Sequence, residues 1–342
     1  MRMHTDKKRL AARWTMAAAI GLLALFPALT GCGTGERPVQ GQPASPGQTS
    51  GKDAQHVVRI GYQKYGTLNL LKSKGNLEKR LASLGYSVQW LLFPAGPQLL
   101  EALNAGSIDL GHTGESPPIF AQAAGTPLVY VANEPASPEA EAILVKGDSS
   151  IRSVADLKGK KVALNKGSNV HYLLVKVLEK SGLQIADIQP VYLPPADARA
   201  AFERGSVDAW VIWDPFYAAA QQATGARVLA DGTNLVANRE FYLASQSFVK
   251  EHSDIITVVL EEVKKVDEWA KQDPHGVAAF LSPELGIDIA SLEQASKRRS
   301  YGIEPVGEQV LADQQKIADT FFGIGLIPKQ ISVRDALFRS NR

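Results

Sequence analysis

The 342-residue sequence has a single cysteine, Cys32, and only six histidines, which do not cluster. One cysteine cannot form a disulfide within the chain, and the histidines lack the short spacing of zinc ligands. The motifs G-x-S-x-G, C-x-x-C, H-E-x-x-H and the Walker A run are absent as well. The residues therefore give no support to a metal, a cofactor or a catalytic nucleophile, and we predict that the protein is not an enzyme.

A strong net charge is missing too. The chain has 37 Lys and Arg against 35 Asp and Glu, but five of the basic residues and one acidic residue lie in the first 31 positions. Without that segment the net charge is −2. This balance does not fit a nucleic-acid-binding protein, so a bound anion would have to be held by local geometry rather than by a basic surface.

The N-terminus is typical of an exported protein. Residues 1–31 place basic side chains before an apolar run that is too short to span a bilayer comfortably, which predicts a signal peptide. The run ends in Leu29-Thr30-Gly31-Cys32, which resembles the lipobox of bacterial lipoproteins and implies lipidation of Cys32. Residues 32–54 are rich in Gly, Pro, Ser and Gln and predict a flexible tether. We expect a lipid anchor on the outer face of the cytoplasmic membrane, or in the periplasm of a Gram-negative cell.

From Val57 onward short apolar runs alternate with helical patterns, which predicts an α/β fold with mostly parallel sheets. One pattern recurs: residues 102–109 (ALNAGSID) match residues 201–208 (AFERGSVD), 99 positions later. This spacing suits two similar lobes, although chance recurrence of a helix–glycine–strand pattern is the alternative. We predict lobe I from 55–135 and 238–342, lobe II from 136–237, and two loop-like connections at Asn133–Glu139 and Asp231–Asn238.

The segment Leu164–Val170 predicts a strand, a turn and a helix N-terminus, with Ser168 or Asn169 as the N-cap. The following apolar positions have helical spacing: Val170, Leu173, Leu174, Val177 and Leu178. A helix N-terminus after a glycine turn favours an anion, because its first N–H groups are unpaired. Many such turns in α/β proteins bind nothing, which is the alternative.

The loop Thr113–Ser116 follows another predicted strand, and it would belong to the other lobe. Ligands of open α/β sheets bind at the carboxyl ends of strands, so the two loops predict a cleft between lobes. Trp210 and Trp213 could form an apolar wall in that cleft, or they could simply be core residues. Gln63, just after the first strand, could add a donor.

Several runs resemble the aliphatic sulfonate substrate-binding proteins of ABC importers, in the same order from about Arg59 to about Ala336. They are residues 61–64 (GYQK), 93–101 (FPAGPQLLE), 113–118 (TGESPP), 164–172 (LNKGSNVHY), 194–202 (PPADARAAF) and 210–215 (WVIWDP). The resemblance implies a type II periplasmic-binding-protein fold, in which two α/β lobes joined by a two-segment hinge close on a sulfonate. By motif position it implies these contacts: Gln63, Thr113, Gly114, Glu115, Ser116, Gly167, Ser168 and Asn169, with Trp210 and Trp213 as walls.

The same resemblance implies a monomer that delivers sulfonates to an ABC permease and its ATPase for sulfur acquisition. It implies for Glu115 either a backbone N–H role or a pairing with an ammonium on a taurine-like ligand. Taurine, nitrate and a thiamine-precursor pyrimidine are alternative cargoes. An enzyme on this fold would need a titratable pair, for which only Glu115 with His112 or His171 is available, and a surface adhesin would show no ligand-induced closure.

Overall fold

The computed structural model describes residues 56–338, all of which lie in one unit that begins at Lys52. The predicted signal peptide (1–31), Cys32 and the predicted tether up to residue 54 lie outside the described residues. Within residues 56–338 no helix is both long and apolar enough to cross a membrane.

The first sheet has five strands in the order β2-β1-β3-β10-β4. Its strands β1 to β3 are parallel, and β10 lies antiparallel between β3 and β4. The elements of this part are β1 (His56–Gln63), α1 (Thr67–Lys74), α2 (Asn76–Ala82), β2 (Tyr86–Phe93), α3 (Gly96–Asn104), β3 (Leu110–Gly114), α4 (Ser116–Ala123), β4 (Leu128–Asn133) and β10 (Glu240–Ser245).

The second sheet repeats this topology with the order β7-β6-β8-β5-β9, and here β5 is the antiparallel strand. Its elements are β5 (Glu141–Val145), β6 (Lys161–Leu164), α5 (Asn169–Lys180), β7 (Gln189–Tyr192), α6 (Pro195–Glu203), β8 (Ala209–Trp213), α7 (Phe216–Thr224) and β9 (Arg227–Asp231). The predicted α/β fold with mostly parallel strands is confirmed.

The internal repeat has a direct structural counterpart. Asp109 accepts a hydrogen bond from the backbone N–H of Arg59 at 2.8 Å, and Asp208 accepts one from Lys161 at 2.8 Å. In both halves this aspartate follows a helix and a glycine in the left-handed conformation. It joins β3 to β1 in the first half and β8 to β6 in the second half. The recurrence is therefore not a chance match of pattern, because the same side chain makes the same contact in each half.

The remaining helices follow β10. They are α8 (Gln246–Glu251), α9 (Ser253–Gln272), α10 (Pro274–Leu285), α11 (Ile289–Arg298) and α12 (Glu308–Gly323). The apolar stripe of α9 is buried against α1 and α2, since Ile255, Val259 and Val263 are at most 1% exposed. Helix α11 packs on α7, and Arg298 at its end donates to both carboxylate oxygens of Asp214, at 2.8 and 2.7 Å.

The chain passes between the sheets twice, through residues 134–140 and 232–239, which we call the crossing segments. They run side by side: the N–H of Ser137 donates to Ala237 O at 3.1 Å, and the N–H of Gly232 donates to Pro138 O at 3.0 Å. Each joins an outer strand of one sheet to the antiparallel inner strand of the other. The lobe boundaries 55–135, 136–237 and 238–342 remain a prediction that agrees with this layout.

Packing in the second half predicts a large stability loss on truncation of Phe202. This ring is fully buried, 5.9 Å from the equally buried Trp210. Phe202→Ala should lower the free energy of unfolding by about 3–5 kcal/mol, because it leaves a cavity in the core. Urea denaturation measures this loss, and Phe322→Ala on α12, where the ring is 42% exposed, is the matched control. A loss no larger than that of the control would contradict the assignment of Phe202 to the core.

Candidate functional site

Two helix N-termini, one from each half of the molecule, meet at a single pocket. Helix α4 begins at Ser116, directly after β3, and α5 begins at Asn169, after the turn that follows β6. The predicted helix after the turn is confirmed, and its apolar face is at most 3% exposed. Gly167 in that turn has φ +77°, a conformation that side chains rarely adopt. The pocket between them is called the inner pocket.

Predicted site residues account for most of the inner pocket. Its lining is Gln63, Gly96, Thr113, Gly114, Pro117, Ser168, Asn169, Trp213 and Glu240. Six of these, Gln63, Thr113, Gly114, Ser168, Asn169 and Trp213, were predicted from the sequence, and the structure brings them together. The lining is mostly neutral and polar, and Glu240 is its one charged side chain.

Some donors of the inner pocket already make hydrogen bonds within the protein, and one does not. Gln63 Nε2 donates to His112 O at 3.1 Å, and the Ser168 hydroxyl donates to Asn165 O at 2.7 Å. Thr113 is 1% exposed, and its Oγ1 has no hydrogen-bond partner among the described residues. A buried hydroxyl without a partner carries a free-energy cost, which a bound acceptor would remove.

Gly114 leaves room for the side chain of Asn169, which lines the inner pocket. A Cβ on Gly114 would lie 1.8 Å from Asn169 Oδ1, so no larger residue fits without displacing the amide. The amide of Asn169 donates to Asn238 Oδ1 at 2.6 Å, and Asn238 Nδ2 donates to Ser137 O at 2.8 Å. Asn169 thereby ties the start of α5 to both crossing segments.

Glu115 lies beside the inner pocket but does not line it. Its Oε2 accepts from the N–H of Arg239 in the second crossing segment at 3.0 Å, and its backbone O accepts from Gln314 Nε2 at 2.5 Å. Desolvation raises the pKa of this buried carboxyl to about 7, against the lowering effect of the Arg239 and Asn238 N–H groups. A partly protonated carboxyl repels an anion less than a carboxylate does.

Three further predicted residues do not line the inner pocket. Ser116 is fully buried in the first turn of α4, and Gly167 donates its N–H to His171 Nδ1 at 3.2 Å. Trp210 is fully buried in the core of the second half, whereas Trp213 is partly exposed in the pocket. The two tryptophans are three residues apart on β8, and an odd separation along a strand places side chains on opposite faces. The proposed wall is therefore formed by Trp213 and not by Trp210.

Sequence reasoning missed a buried ion cluster of His112, Glu134, Glu240 and Arg299. Arg299 Nη2 donates to Glu134 Oε2 at 2.6 Å and to Glu240 Oε2 at 2.8 Å. On the other side His112 Nε2 lies 2.9 Å from Glu134 Oε1 and 2.9 Å from Glu240 Oε2. The cluster borders a second pocket, which shares Asn169, Trp213 and Glu240 with the inner pocket.

The charges of the ion cluster balance one another. Burial lowers the pKa of His112, but Glu240 and Glu134 outweigh it and raise the value to about 9. Burial would raise the pKa of Glu240, but Arg299 and His112 hold it well below its usual range. The ligand atoms of His112, Glu134 and Glu240 are close enough to hold a cation, yet the guanidinium of Arg299 already contacts both carboxylates.

The titratable pair that an enzyme would need does not form around Glu115. His112 contacts Glu134 and Glu240, as described above. His171 is fully buried, with its ring stacked at 9° on Phe120 and a pKa lowered to about 4 by desolvation and by Lys166. Within residues 56–338, Glu115 makes no ion pair with either histidine.

The chain is similar to known proteins over most of its length. A sequence profile described as NMT1/THI5 like matches residues 87–277. An aliphatic sulfonates-binding protein of Escherichia coli (strain K12) is 46% identical over 291 residues, which cover 84% of this chain and 90% of that protein.

Solved structures agree with this similarity. The alkanesulfonate-binding protein from Xanthomonas axonopodis pv. citri, bound to MOPS, matches with a TM-score of 0.79 and 44% identity, over 83% of this chain and 98% of that chain. The periplasmic aliphatic sulphonate binding protein from Escherichia coli matches with a TM-score of 0.75 and 47% identity, over 83% and 92%.

The environment of Glu115 predicts a specific dependence of stability on pH. Because the folded protein holds this proton up to about pH 7 and a free carboxyl releases it near 4.5, stability should fall as pH rises between these values. Glu115→Gln has no proton to lose and keeps an acceptor for Arg239. Its free energy of unfolding relative to wild type should therefore rise by up to about 3 kcal/mol from pH 4.5 to pH 8.

Urea unfolding across this pH range measures the difference. Glu101→Gln makes the same chemical change at an exposed position on α3 and is the matched control. A constant difference between Glu115→Gln and wild type from pH 4.5 to 8 would contradict the placement of this carboxyl.

Proposed function

The chain belongs to the NMT1/THI5-like family and to the family of aliphatic sulfonate-binding proteins, and on that premise we propose that it captures aliphatic sulfonates for an ABC importer. The relatives that establish the family are binding proteins, and the chain is a binding protein rather than an enzyme. In this function the ligand is held between the two halves of the molecule and passed to a permease, whose ATPase drives import for sulfur acquisition.

The observation that carries the proposal is the unpartnered, buried hydroxyl of Thr113 in a pocket where two helices begin. A sulfonate offers three acceptor oxygens and one negative charge. Helix N-termini favour an anion by roughly 0.3–1 kcal/mol when exposed and up to about 2 kcal/mol when partly buried. Neutral side-chain donors and the N-terminus of α5 suit a sulfonate without a free cation in the lining, and exclusion of water strengthens these hydrogen bonds. The N-terminus of α4 adds its dipole but few donors, because Pro117 and Pro118 in its first turn have no N–H.

Closure of the two halves on the ligand fits the layout of the crossing segments. Two connections that lie side by side allow a bend without separating the halves, which is the usual arrangement for hinge closure around a ligand. Asn169 contacts the pocket, Gly114 and Asn238 at once, so a ligand at the start of α5 would bias the position of the second half. The proposed contacts are Gln63, Thr113, Gly114, Ser168, Asn169 and Trp213.

Other cargoes make different demands on this site. Nitrate has no organic tail, so it would leave the ring of Trp213 without a role. Taurine carries an ammonium that needs a carboxylate, and in the ion cluster both Glu134 and Glu240 are already paired with Arg299. A thiamine-precursor pyrimidine, one of the alternative cargoes named above, is the second candidate.

The position in the cell is proposed from the N-terminal segment together with the family. A signal peptide over residues 1–31 would export the chain, and lipidation of Cys32 would hold it at the membrane. A tether of about 20 residues has a random-coil reach of roughly 25 Å, which keeps the folded part, acting as a monomer, close to a permease.

Removal of the Thr113 hydroxyl should weaken ligand binding without weakening the fold. Thr113→Val keeps the shape of the side chain, and in the free protein it removes a buried group that has no partner. We expect the dissociation constant for hexanesulfonate to rise roughly tenfold to hundredfold, the effect of one hydrogen bond to a charged group. The free energy of unfolding should stay the same or increase.

Calorimetric titration and urea denaturation test both expectations. Thr257→Val, at an exposed position on α9, is the matched control, and Ser168→Glu should abolish binding because it adds a negative charge beside the bound anion. Unchanged affinity of Thr113→Val would contradict the placement of the sulfonate. Binding of nitrate, taurine or an aminopyrimidine instead of hexanesulfonate would keep the transport role and change the cargo.

Loss of the thiol at Cys32 should release the protein from membranes. Cys32→Ala removes the proposed acylation site but leaves the signal peptide intact. Fractionation of cells should find wild type in the membrane pellet and the variant in the soluble exported fraction. Equal membrane association of the two proteins would contradict the lipid anchor.

A further inference from the structure

A third cavity, of about 310 Å³, lies where the two halves of the molecule face each other, and we call it the outer pocket. One side is formed by Leu92, Phe93 and Pro94 at the end of β2. The opposite side is formed by Pro194 and Pro195 at the start of α6, together with Phe216 at the start of α7. Almost all of this lining is apolar, unlike the inner pocket.

The two sides of the outer pocket include equivalent proline segments, each of which precedes one copy of the internal repeat. Pro94 lies between β2 and α3 in the first half, and Pro194 lies between β7 and α6 in the second half. The repeat therefore places one proline segment on each side of the cavity. Proline keeps these segments rigid, so the walls lose little conformational entropy when a ligand is covered.

The outer pocket lies beside the inner pocket. Gln63 lines the inner pocket, and its neighbour Lys64 lines the outer one. On the opposite side the Trp213 ring borders the inner pocket and meets the Phe216 ring edge-on, with centroids 6.4 Å apart. A molecule with a polar head and an apolar tail can therefore occupy both pockets at once.

The charge and exposure of the outer pocket favour an alkyl tail. Leu92 is 51% exposed, so apolar surface there remains in contact with water. Lys64 is the one charged residue among the described lining, and no carboxylate faces the cavity to pair with an ammonium. The methylenes of a lysine can cover an apolar ligand while the ammonium stays in water.

We propose that the outer pocket binds the unbranched alkyl tail of a sulfonate whose head occupies the inner pocket, so that tail length sets the affinity. The inference rests on the proposed function and adds its specificity-determining residues, Leu92 and Phe216. Each methylene buried in the outer pocket adds to binding, and the gain stops when the tail extends beyond Leu92 and Phe216.

Calorimetric titration with ethane-, butane-, hexane- and octanesulfonate tests this inference. In wild type we expect the dissociation constant to fall roughly fourfold per methylene until the outer pocket is filled. Leu92→Gln and Phe216→Ser should reduce this gain per methylene at least by half while leaving the dissociation constant for ethanesulfonate within about twofold of wild type. Leu84→Gln makes the same change at another 51% exposed leucine and should keep the full gain.

The outcomes separate the two proposals. Equal dissociation constants for all four sulfonates in wild type would overturn the role of the outer pocket and keep the proposed function. The role of the outer pocket would also be overturned if Leu92→Gln and Phe216→Ser kept the full gain per methylene, as Leu84→Gln should. Failure of every sulfonate to bind wild type would overturn the proposed function, and this inference with it. Far-ultraviolet circular dichroism confirms that each variant is folded before the comparison is made.

Discussion

The contact of Arg299 with Glu134 and Glu240 is the interaction on which the cleft depends. Glu134 begins the first crossing segment and Glu240 directly follows the second, so one guanidinium fixes both ends of the connection to the first sheet. Buried carboxylates would otherwise repel each other at great cost, and removal of one partner from such a group leaves an uncompensated charge. His112 on β3 balances the remaining charge and thereby links the same ends to the strand that leads into the inner pocket.

The layout of the cleft follows from this fixed connection of the crossing segments to the first sheet. Asn169 reaches the crossing segments through Asn238 and passes within the space that only a glycine at 114 leaves open. The polar groups lie in the inner pocket, whereas the proline segments of the two halves line the outer pocket. An amphiphile bound in this arrangement would place its charge where water is excluded and its tail against rigid apolar walls.

Much of this could be predicted from the sequence because it depends on local patterns. The helix after residue 168, the repeat at 102–109 and 201–208, and the loops that follow β3 and β6 all rest on periodicity and turn chemistry within a short window. The ion cluster could not be predicted in this way, since its members meet only because β10 inserts between β3 and β4. The odd spacing of Trp210 and Trp213 could have shown that only one of the two side chains faces the cleft. The burial of Glu115, by contrast, depends on a crossing segment over 100 residues away.

The position of β10 also has a consequence for the order in which the chain can fold. All five strands of the second sheet lie within residues 141–231, so that sheet can be completed from one continuous stretch. The first sheet cannot, because its inner strand β10 arrives only after the whole second half has been made. Contacts that wait for distant segments form slowly. If the chain is exported from its N-terminus, the first sheet therefore stays incomplete until residue 245 has emerged. Until then the first half remains able to pass through an export channel in an unfolded state.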